Sequence, residues 1–409
     1  LTNEAVEGLD AAQRAVELFR IANDAEREGA ALRLLSRLHW WLGDPKQAEA
    51  TGLQSVEVLE AVDDSSNLPM SYSNLSQLSM LAQDAATAER WATKAIASAR
   101  AVGDQAALAH ALNNLGSTQA RAGDLAGLDL LKESLDVSLS GNLEDHAGRA
   151  YANLNWTLLD YRMFDEARRY LDAGLAYVEK RELEGSRYYM IAERARLHLE
   201  QGEWLAAEED AAWVVGRPEQ PGITRMPALA TLAVLKVRRG DTDADEVIAE
   251  ARALADPTGE LQRLAPVAIA RAELAWLRGD VAALRNAIEP VYEQALAAPQ
   301  PWVLDELAFW LWRSGGRPTI PFDRGTAYAI QIQGHWAAAA AAWSELGCPY
   351  QEATALMDAL EPDPLLASLA TLDRLGADPA AGLVRHKLHA LGVRGIPRGP
   401  RPSTRANSA

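Results

Sequence analysis

Turn-forming residues recur about every 40 positions along this chain. The turns lie at Gly43-Asp44, Gln83-Asp84, Gly123-Asp124, Gly202-Glu203, Gly240-Asp241 and Gly279-Asp280. A further equivalent segment, residues 162–167, lies in register between the third and the fourth. A fixed period of this length is typical of stacked repeats, in which each unit buries its apolar face only against its neighbours. This period therefore limits the chain to a repeat architecture.

A second series of turn signals divides each period in two. Its members, about 40 residues apart, are Asp24, Asp64, Asp104 and Glu144. Glycine adopts the left-handed conformation that ends a helix, and aspartate accepts hydrogen bonds from the free N–H groups that begin the next one. Ala, Leu, Glu, Gln and Arg dominate between the turns, and only Pro45 and Pro69 precede residue 218. We therefore predict two helices per period and an all-α fold.

Small residues recur where the two helices of a pair are expected to touch. In the second helix they are Ala48, Ala88, Ala167 and Ala207, with Leu128 as the exception. In the first helix they are Ser36, Ser76 and Gly116. Because the side chains at a contact set the distance between helix axes, this pattern predicts closely packed pairs.

Composition excludes several classes of function. The 409 residues include 40 Lys+Arg and 57 Asp+Glu, so the body of the chain, at net charge −17, repels nucleic-acid phosphates. The single cysteine, Cys348, excludes an internal disulfide and a Cys-rich zinc site, which fits a cytoplasmic protein. No apolar stretch reaches the roughly 18 residues of a membrane span. The chain begins at Leu1 without a signal pattern, and we expect it to be a fragment of a longer protein.

The repeats resemble tetratricopeptide repeats, although the unit of that family is nearer 34 residues. Longer units of this kind are similar to those in the sensing arm of MalT-like, LuxR-type transcription regulators. Residues 334–353, 372–377 and 391–405 resemble the end of the helical region and the linker that precede the C-terminal helix-turn-helix in large LuxR-type regulators with an N-terminal ATPase. The resemblance covers nearly the whole chain.

The resemblance implies an all-α, right-handed superhelical solenoid of about eight helix pairs, with the first helices lining a concave groove. Residues 8–24 align with 88–104, so we expect the chain to begin with the second helix of a pair. We predict regular repeats over 1–298, less regular helical pairs over 299–390, and a basic Pro/Gly/Arg linker over 391–409. After Asp378 the tail has no acidic residue. Either it contacts phosphate beside a DNA-binding domain or it is a solvated linker.

A polar ladder follows the predicted first helices. Its central row is Asn74, Asn114 and Asn153, at a position that resembles the tetratricopeptide asparagine that bonds the backbone of a bound peptide. Adjacent turns add Gln77, His110, Ser117, Arg149 and Trp156, and the preceding helix adds Arg37 and Trp40. In the fifth repeat the central position is Glu193. We predict that these ten residues form a ligand or partner groove. The alternative is that the asparagines bond a neighbouring helix or face water.

Catalysis and metal binding find little support in the sequence. An α/α-barrel glycosidase would need two opposed carboxylates, but recurring acids such as Asp44 and Asp84 are predicted helix caps. His386 and His389 are one helical turn apart, but no carboxylate or cysteine nearby completes a metal site. No Gly-x-x-x-x-Gly-Lys-Ser/Thr loop for ATP occurs. We predict a non-enzyme without a cofactor or a metal.

We therefore predict a cytoplasmic sensor segment of a LuxR-family regulator. It would bind a small-molecule, peptide or protein effector and control an ATPase domain and a helix-turn-helix domain that this chain lacks. DNA contact would come only through that missing C-terminal domain, and no membrane is involved. The alternative function is a general tetratricopeptide scaffold that binds a partner peptide in its groove.

Overall fold

The computed structural model describes residues 2–217, 222–297, 300–319 and 325–399, and no strand occurs within these ranges. They contain 21 α-helices. The first eleven are α1 (Thr2–Ile21), α2 (Ala25–Trp41), α3 (Pro45–Glu60), α4 (Leu68–Leu81), α5 (Ala85–Val102), α6 (Gln105–Arg121), α7 (Ala126–Ser140), α8 (Glu144–Asp160), α9 (Phe164–Lys180), α10 (Glu184–Glu200) and α11 (Trp204–Val215). The rest are α12 (Gly222–Arg239), α13 (Ala244–Ala255), α14 (Leu261–Leu277), α15 (Val281–Ala297), α16 (Pro301–Arg313), α17 (Ala327–Ile332), α18 (Trp336–Glu345), α19 (Pro349–Leu356), α20 (Pro362–Leu375) and α21 (Asp378–Ala390).

The helices pack in consecutive antiparallel pairs and form an all-α solenoid. The first helices of successive pairs, from α2 to α16, begin at residues 25, 68, 105, 144, 184, 222, 261 and 301, in steps of about 40. Each of these helices up to α14 also contacts the first helix of the next pair, which places them on the inner side of the curve. The predicted period and helix pairing are thus confirmed. The array is longer than eight pairs, because α18 to α21 add two shorter ones.

The turns follow the predicted chemistry with a few exceptions. Gly43, Gly123, Gly202, Gly240 and Gly279 all have positive φ, and so do Gln83 and Arg162 at the two equivalent positions without glycine. Aspartate side chains accept N–H groups at the start of the next helix at Asp24, Asp44, Asp84 and Asp104. In the second series, Asp64 lies in a turn at φ 53°, as predicted, whereas Glu144 is already the first residue of α8. Two of the predicted caps are wrong: the side chain of Glu203 forms no cap hydrogen bond at α11, and α13 begins after Asp243 rather than after Asp241.

Small residues bring the two helices of a pair into close contact, as predicted. The Ser36 hydroxyl donates to the carbonyl of Ala48 at 2.6 Å, and Ser76 donates to that of Ala88 at 3.0 Å. In the third pair the contact is closer still, since a Cβ added to Gly116 would lie 2.6 Å from the Gly127 carbonyl oxygen. The first two crossings therefore accommodate a serine side chain, and the third accommodates only the hydrogen atom of a glycine.

Later helices contact earlier turns across the superhelix. A Cβ on Gly202 would lie 2.8 Å from Pro349, and one on Gly240 would lie 2.8 Å from Pro379. Arg121 donates to Gln262 at 2.8 Å, and this contact joins residues far apart in sequence. From α6 onward, successive turns of the superhelix therefore touch one another.

The core is continuous across the predicted boundary at residue 298. One cluster of buried side chains joins Leu154 and Met190 to Leu307 and Trp343, and a second joins Trp204 to Leu369. The helices beyond residue 326 are shorter, as expected, with six residues in α17 and eight in α19. The two predicted segments therefore share their apolar cores, although their helices differ in length.

Candidate functional site

An open pocket lies on the inner side of the first two complete pairs. It is lined by residues of α2 and α4, namely Arg37, Trp40, Trp41, Asn74, Gln77, Leu78 and Leu81. Four of the predicted groove residues are among them: Arg37, Trp40, Asn74 and Gln77. Arg37 also stacks on the exposed Trp41 ring, with its guanidinium carbon 5.8 Å from the ring centre. The pocket therefore has a charged, an aromatic and an aliphatic wall.

The asparagine ladder bonds neighbouring first helices. Asn74 donates to the hydroxyl of Ser36 at 2.9 Å, and Asn114 donates to the carbonyl of Ser73 at 2.8 Å. Asn153 donates to the side-chain oxygen of Asn113. Asn74 and Asn114 are buried, and the hydrogen bonds of their amides join successive repeats. This arrangement is the structural alternative that the sequence left open.

His110 and Ser117 lie beneath the surface of the groove. His110 Nδ1 is 2.7 Å from the hydroxyl of Ser73, and its ring meets that of His146 edge to face at 5.8 Å. Burial holds the pKa of His110 well below its usual value, and the charge of Arg149 lowers it further. The imidazole is therefore held in its neutral form, and it shares a hydrogen bond with the hydroxyl of Ser73. Ser117 is buried, and its hydroxyl has no hydrogen-bond partner within the described residues.

Arg149 and Trp156 extend the groove along α8. Arg149 donates to the side-chain oxygen of Asn114. Burial, with a smaller effect of Arg37, lowers the pKa of Arg149 to about 9. The half-buried Trp156 lies beneath Arg196, whose guanidinium carbon is 5.7 Å from the ring centre and which also pairs with Asp160. Arg149 is therefore linked through Asn114 to Ser73 on the pocket helix α4, whereas Trp156 contacts Arg196.

Sequence reasoning missed two nitrogen-bearing residues of the groove, an arginine and a histidine. Arg33 lies one helical turn before Arg37 on α2, and His146 lies one turn before Arg149 on α8. Burial and the charge of Arg37 lower the pKa of Arg33. Burial also lowers the pKa of Arg37, although its side chain still reaches solvent. The i, i+4 spacing of the two arginines was the available signal, because it places both on one helix face.

A second group of charged residues, also missed, fills the interior where later helices meet earlier turns. Arg162 is buried and pairs with Glu200 at 3.6 Å and with Glu306 at 3.5 Å. Gln351, on α19, donates to Glu200 at 2.6 Å. Burial raises the pKa of Glu306 despite the opposing charge of Arg162. Arg162 and Glu200 belong to consecutive helix pairs, but Glu306 and Gln351 come from pairs far along the chain, and no local pattern relates them to the first two.

The same interior continues towards α20 through further paired charges. Arg238 contacts Glu273 at 3.1 Å, and the side chain of Arg313 forms a bidentate pair with Asp358. A small cavity lies among these groups and is lined by aromatic residues, including Trp276 and Trp310. The charges neutralise one another within the protein. This arrangement fits a role in joining superhelical turns rather than in acid–base chemistry.

Part of the predicted basic tail is bonded to the helical body. Arg385 pairs with Asp373 at 2.6 Å, and Lys387 donates to the carbonyl of Met357 at 2.6 Å. His386 and His389 are exposed on α21. Residues 400–409 of the predicted linker, with Arg401 and Arg405, lie outside the described residues.

The described ranges contain neither a candidate metal cluster nor a candidate membrane-spanning helix. No cluster of three or more His, Cys, Asp or Glu side chains in them has an arrangement that could hold a metal ion. Within the same part of the chain, none of the helices combines the length and the apolar character needed to cross a bilayer.

Comparisons with known proteins leave the family open. No protein-family model matches the chain, and no curated protein matches it. A solved structure described as a "circular tandem repeat protein with novel repeat topology and enhanced subunit contact surfaces" is 17% identical, with 95% of this chain and 96% of that chain covered and a TM-score of 0.17. At that TM-score the likeness carries no argument, and the fold rests on the helices described above.

Proposed function

We propose that this chain is the non-catalytic sensor segment of a cytoplasmic LuxR-type transcription regulator, and that its effector binds in the N-terminal groove. The observation that carries the proposal is the pocket between α2 and α4. Its walls present Arg37, Trp40 and Gln77 to solvent, and it precedes α6, where contacts between superhelical turns begin. A site that is concave and that combines apolar walls with a few polar groups is the usual form of a ligand pocket.

The solenoid offers a way to transmit binding. An effector held between α2 and α4 contacts helices of two different pairs, so it favours one relative orientation of those pairs over others. Each pair packs on the next, and a small rotation is passed along the array. The proposed result is a change in contacts with the ATPase domain and the helix-turn-helix domain of the parent regulator. Such coupling requires an effector with different affinities for the two states.

Binding to the groove is tested with a library of metabolites and peptides. Thermal unfolding of the chain would identify stabilising compounds, since a ligand that binds only the native state raises the melting temperature. We expect a hit to lose at least about tenfold in affinity in Trp40→Ala and Gln77→Ala, and to bind normally in Trp91→Ala on the outer helix α5. Hits that bind all of these variants equally would place the site elsewhere.

The regulator assignment has a separate test. The coding sequence that flanks this segment is expected to encode a Gly-x-x-x-x-Gly-Lys-Ser/Thr loop before residue 1 and a helix-turn-helix after residue 409. If neither is present, the assignment fails and a scaffold that binds a partner peptide in the same groove takes its place.

A further inference from the structure

Three arginines gather at the N-terminal groove without a carboxylate partner. Arg33 and Arg37 project from α2, and Arg149 projects from α8. The charge of Arg37 lowers the pKa of both other arginines. Arg149 also donates to Asn114, which in turn donates to the carbonyl of Ser73 on the pocket helix α4. No ion pair within 4.0 Å joins any of the three to an acidic residue in the described part of the chain, although most of its other buried arginines have one.

Two buried donors in this cluster have no acceptor. Nη1 of Arg149 and Nε of Arg33 are shielded from solvent and form no hydrogen bond within the described residues. A buried charged donor without an acceptor is costly, and proteins commonly pair such groups. The chain contains 57 acidic residues, so it has many carboxylates that could pair with arginine. The missing partner therefore points to a ligand that supplies the negative charge.

The nearest acidic residues are engaged elsewhere or directed to solvent. Asp104 favours the charged form of Arg33, but one of its oxygens accepts the N–H of Ala107 as the cap of α6. Asp145 favours the charged form of Arg37 and is exposed in the first turn of α8. Both act at a distance and leave the guanidinium donors unbonded. His110 and His146 are held towards the neutral form by burial and add no negative charge.

We infer that the groove binds the oxyanion of a small organic ligand, a carboxylate or a phosphate, between Arg37 and Arg149. The flat or apolar part of the ligand then lies in the adjoining pocket against Trp40, Trp41, Leu78 and Leu81. The planar guanidinium matches both oxyanions through paired N–H donors, and the two rings offer stacking faces. This inference rests on the proposed function and names the chemical class of its effector.

The first experiment uses simple anions and the whole chain. Thermal unfolding is compared in phosphate and in chloride at equal ionic strength, and calorimetry then compares phenyl phosphate, benzoate and benzyl alcohol. We expect both anionic compounds to bind at least about tenfold more tightly than benzyl alcohol. The tighter of the two identifies the oxyanion. Equal binding of the neutral and the anionic compounds would overturn the inference, and so would the absence of any binding.

Variants separate a binding role from a structural one. Arg37→Gln and Arg149→Gln are expected to lose at least about tenfold in affinity for the anion, whereas Arg90→Gln, on the exposed face of α5, keeps the wild-type affinity. In chloride, both groove variants are expected to be as stable as the wild type or more stable, because repulsion within the cluster is relieved. Unchanged anion affinity in Arg37→Gln would overturn the inference.

The two proposals fail in different ways. A neutral library compound whose binding depends on Trp40 and Gln77, together with no effect of phosphate, phenyl phosphate or benzoate, would retain the sensor and reject the anion. Anion binding that is lost in Arg37→Gln, in a protein whose gene encodes no regulator domains, would retain the anion site and reject the regulator.

Discussion

Single residues decide how closely the helices of each pair approach. At Gly116 and Gly127 each backbone lies where the other residue would carry a Cβ, because an added Cβ on Gly127 would be 2.4 Å from the Gly116 carbonyl oxygen. Elsewhere the same crossing uses serine and alanine, and the serine hydroxyl is satisfied by the facing carbonyl. At Gly116 and Gly127, therefore, the addition of a single methyl group would produce a clash with the facing backbone.

Replacing Gly116 by alanine tests this limit. We expect Gly116→Ala to lower the free energy of unfolding by roughly 1–3 kcal/mol, the usual cost of overpacking, despite the better helix propensity of alanine. Gly185→Ala is the matched control, since no atom lies within 4 Å of its added Cβ, and it is expected to stabilise by up to about 1 kcal/mol. Denaturant unfolding measures both. Equal effects of the two substitutions would contradict the close contact.

Glu193 gives a pH-dependent prediction. Its side chain is buried, its Oε2 has no partner, and burial raises its pKa well above 4.5. Above pH 4.5 the unfolded chain releases this proton while the folded chain retains it, so the wild type loses stability as the pH rises. Glu193→Gln does not titrate and is expected to gain stability relative to the wild type from pH 4 to pH 7.

The gain in Glu193→Gln at pH 7 is expected to be on the order of 1 kcal/mol, the size of a penalty for an unpaired buried group. Denaturant unfolding at both pH values measures it. Glu209→Gln changes an exposed carboxyl group of the same helix pair and serves as the control. A stability difference between Glu193→Gln and the wild type that does not change with pH would argue against the raised pKa.

At the scale of elements, the start of each helix determines how the repeats are joined. Several helices, among them α2, α3, α5 and α6, begin at an aspartate cap, but α4 lacks one. There Glu26, from the first turn of α2, accepts the N–H of Asn67 at 3.0 Å and the hydroxyls of Ser65 and Ser66. A carboxylate from the previous repeat thus replaces the local cap and fixes the connection between α3 and α4.

Removing this carboxylate is expected to loosen the connection. Burial opposes ionisation of Glu26, but its hydrogen bonds lower its pKa below 4.5 overall. Glu26 therefore stabilises the fold above that pH, and the contribution is lost as the pH falls through the lowered value. Glu26→Ala should cost roughly 1–3 kcal/mol at pH 7 and speed proteolysis between residues 61 and 67.

The control for Glu26→Ala is Glu57→Ala, which removes an exposed carboxylate from α3. Limited proteolysis and urea unfolding of the two variants provide the comparison. If Glu26→Ala is cut no faster than Glu57→Ala, the carboxylate does not hold this connection.

At the scale of the whole molecule, contacts across the superhelical turn distinguish this solenoid from a one-dimensional array. Repeats that contact only their neighbours unfold in segments. Here Arg121, Gly123, Arg162 and Gly202 of earlier turns contact residues 262, 301, 306 and 349 of later ones. Among the described residues these contacts begin at α6, so the pocket between α2 and α4 lies in the part of the array that is held only by its neighbours. Such a region is free to respond to a ligand.

Arg162 is the residue with which to test that division. Arg162→Met leaves Glu200 and Glu306 buried without their shared cation, and removal of one partner from a buried pair costs about 3–5 kcal/mol. Amide hydrogen exchange should become faster in α8, α10, α16 and α19, and remain unchanged in α1 to α4. Arg100→Met, which breaks an exposed pair with Glu133, is the control. Faster exchange spread evenly over all helices would contradict two separate regions.

The sequence by itself determined the local structure. Gly43 and Asp44 and their equivalents set the helix ends, because a left-handed turn and an N-cap depend on residues within four positions. The small residues Ser36 and Ala48 indicated which helices pair, because small residues recur at the same two places in successive repeats. The sequence also indicated part of the groove, since Arg37, Trp40 and Gln77 occupy one face of adjacent first helices. The row of polar residues in the sequence did not show that the amides of Asn74 and Asn114 form hydrogen bonds with neighbouring helices.

Only the tertiary structure decided where distant repeats meet. Gly202 and Pro349, or Arg162 and Glu306, are more than 140 residues apart, and no local pattern relates them. The small rotation from each pair to the next sets these contacts, because it accumulates over about four pairs before a turn closes. The same accumulated curvature brings Arg149 towards Arg37. The paired interior and the unpaired cationic groove are therefore products of superhelical geometry.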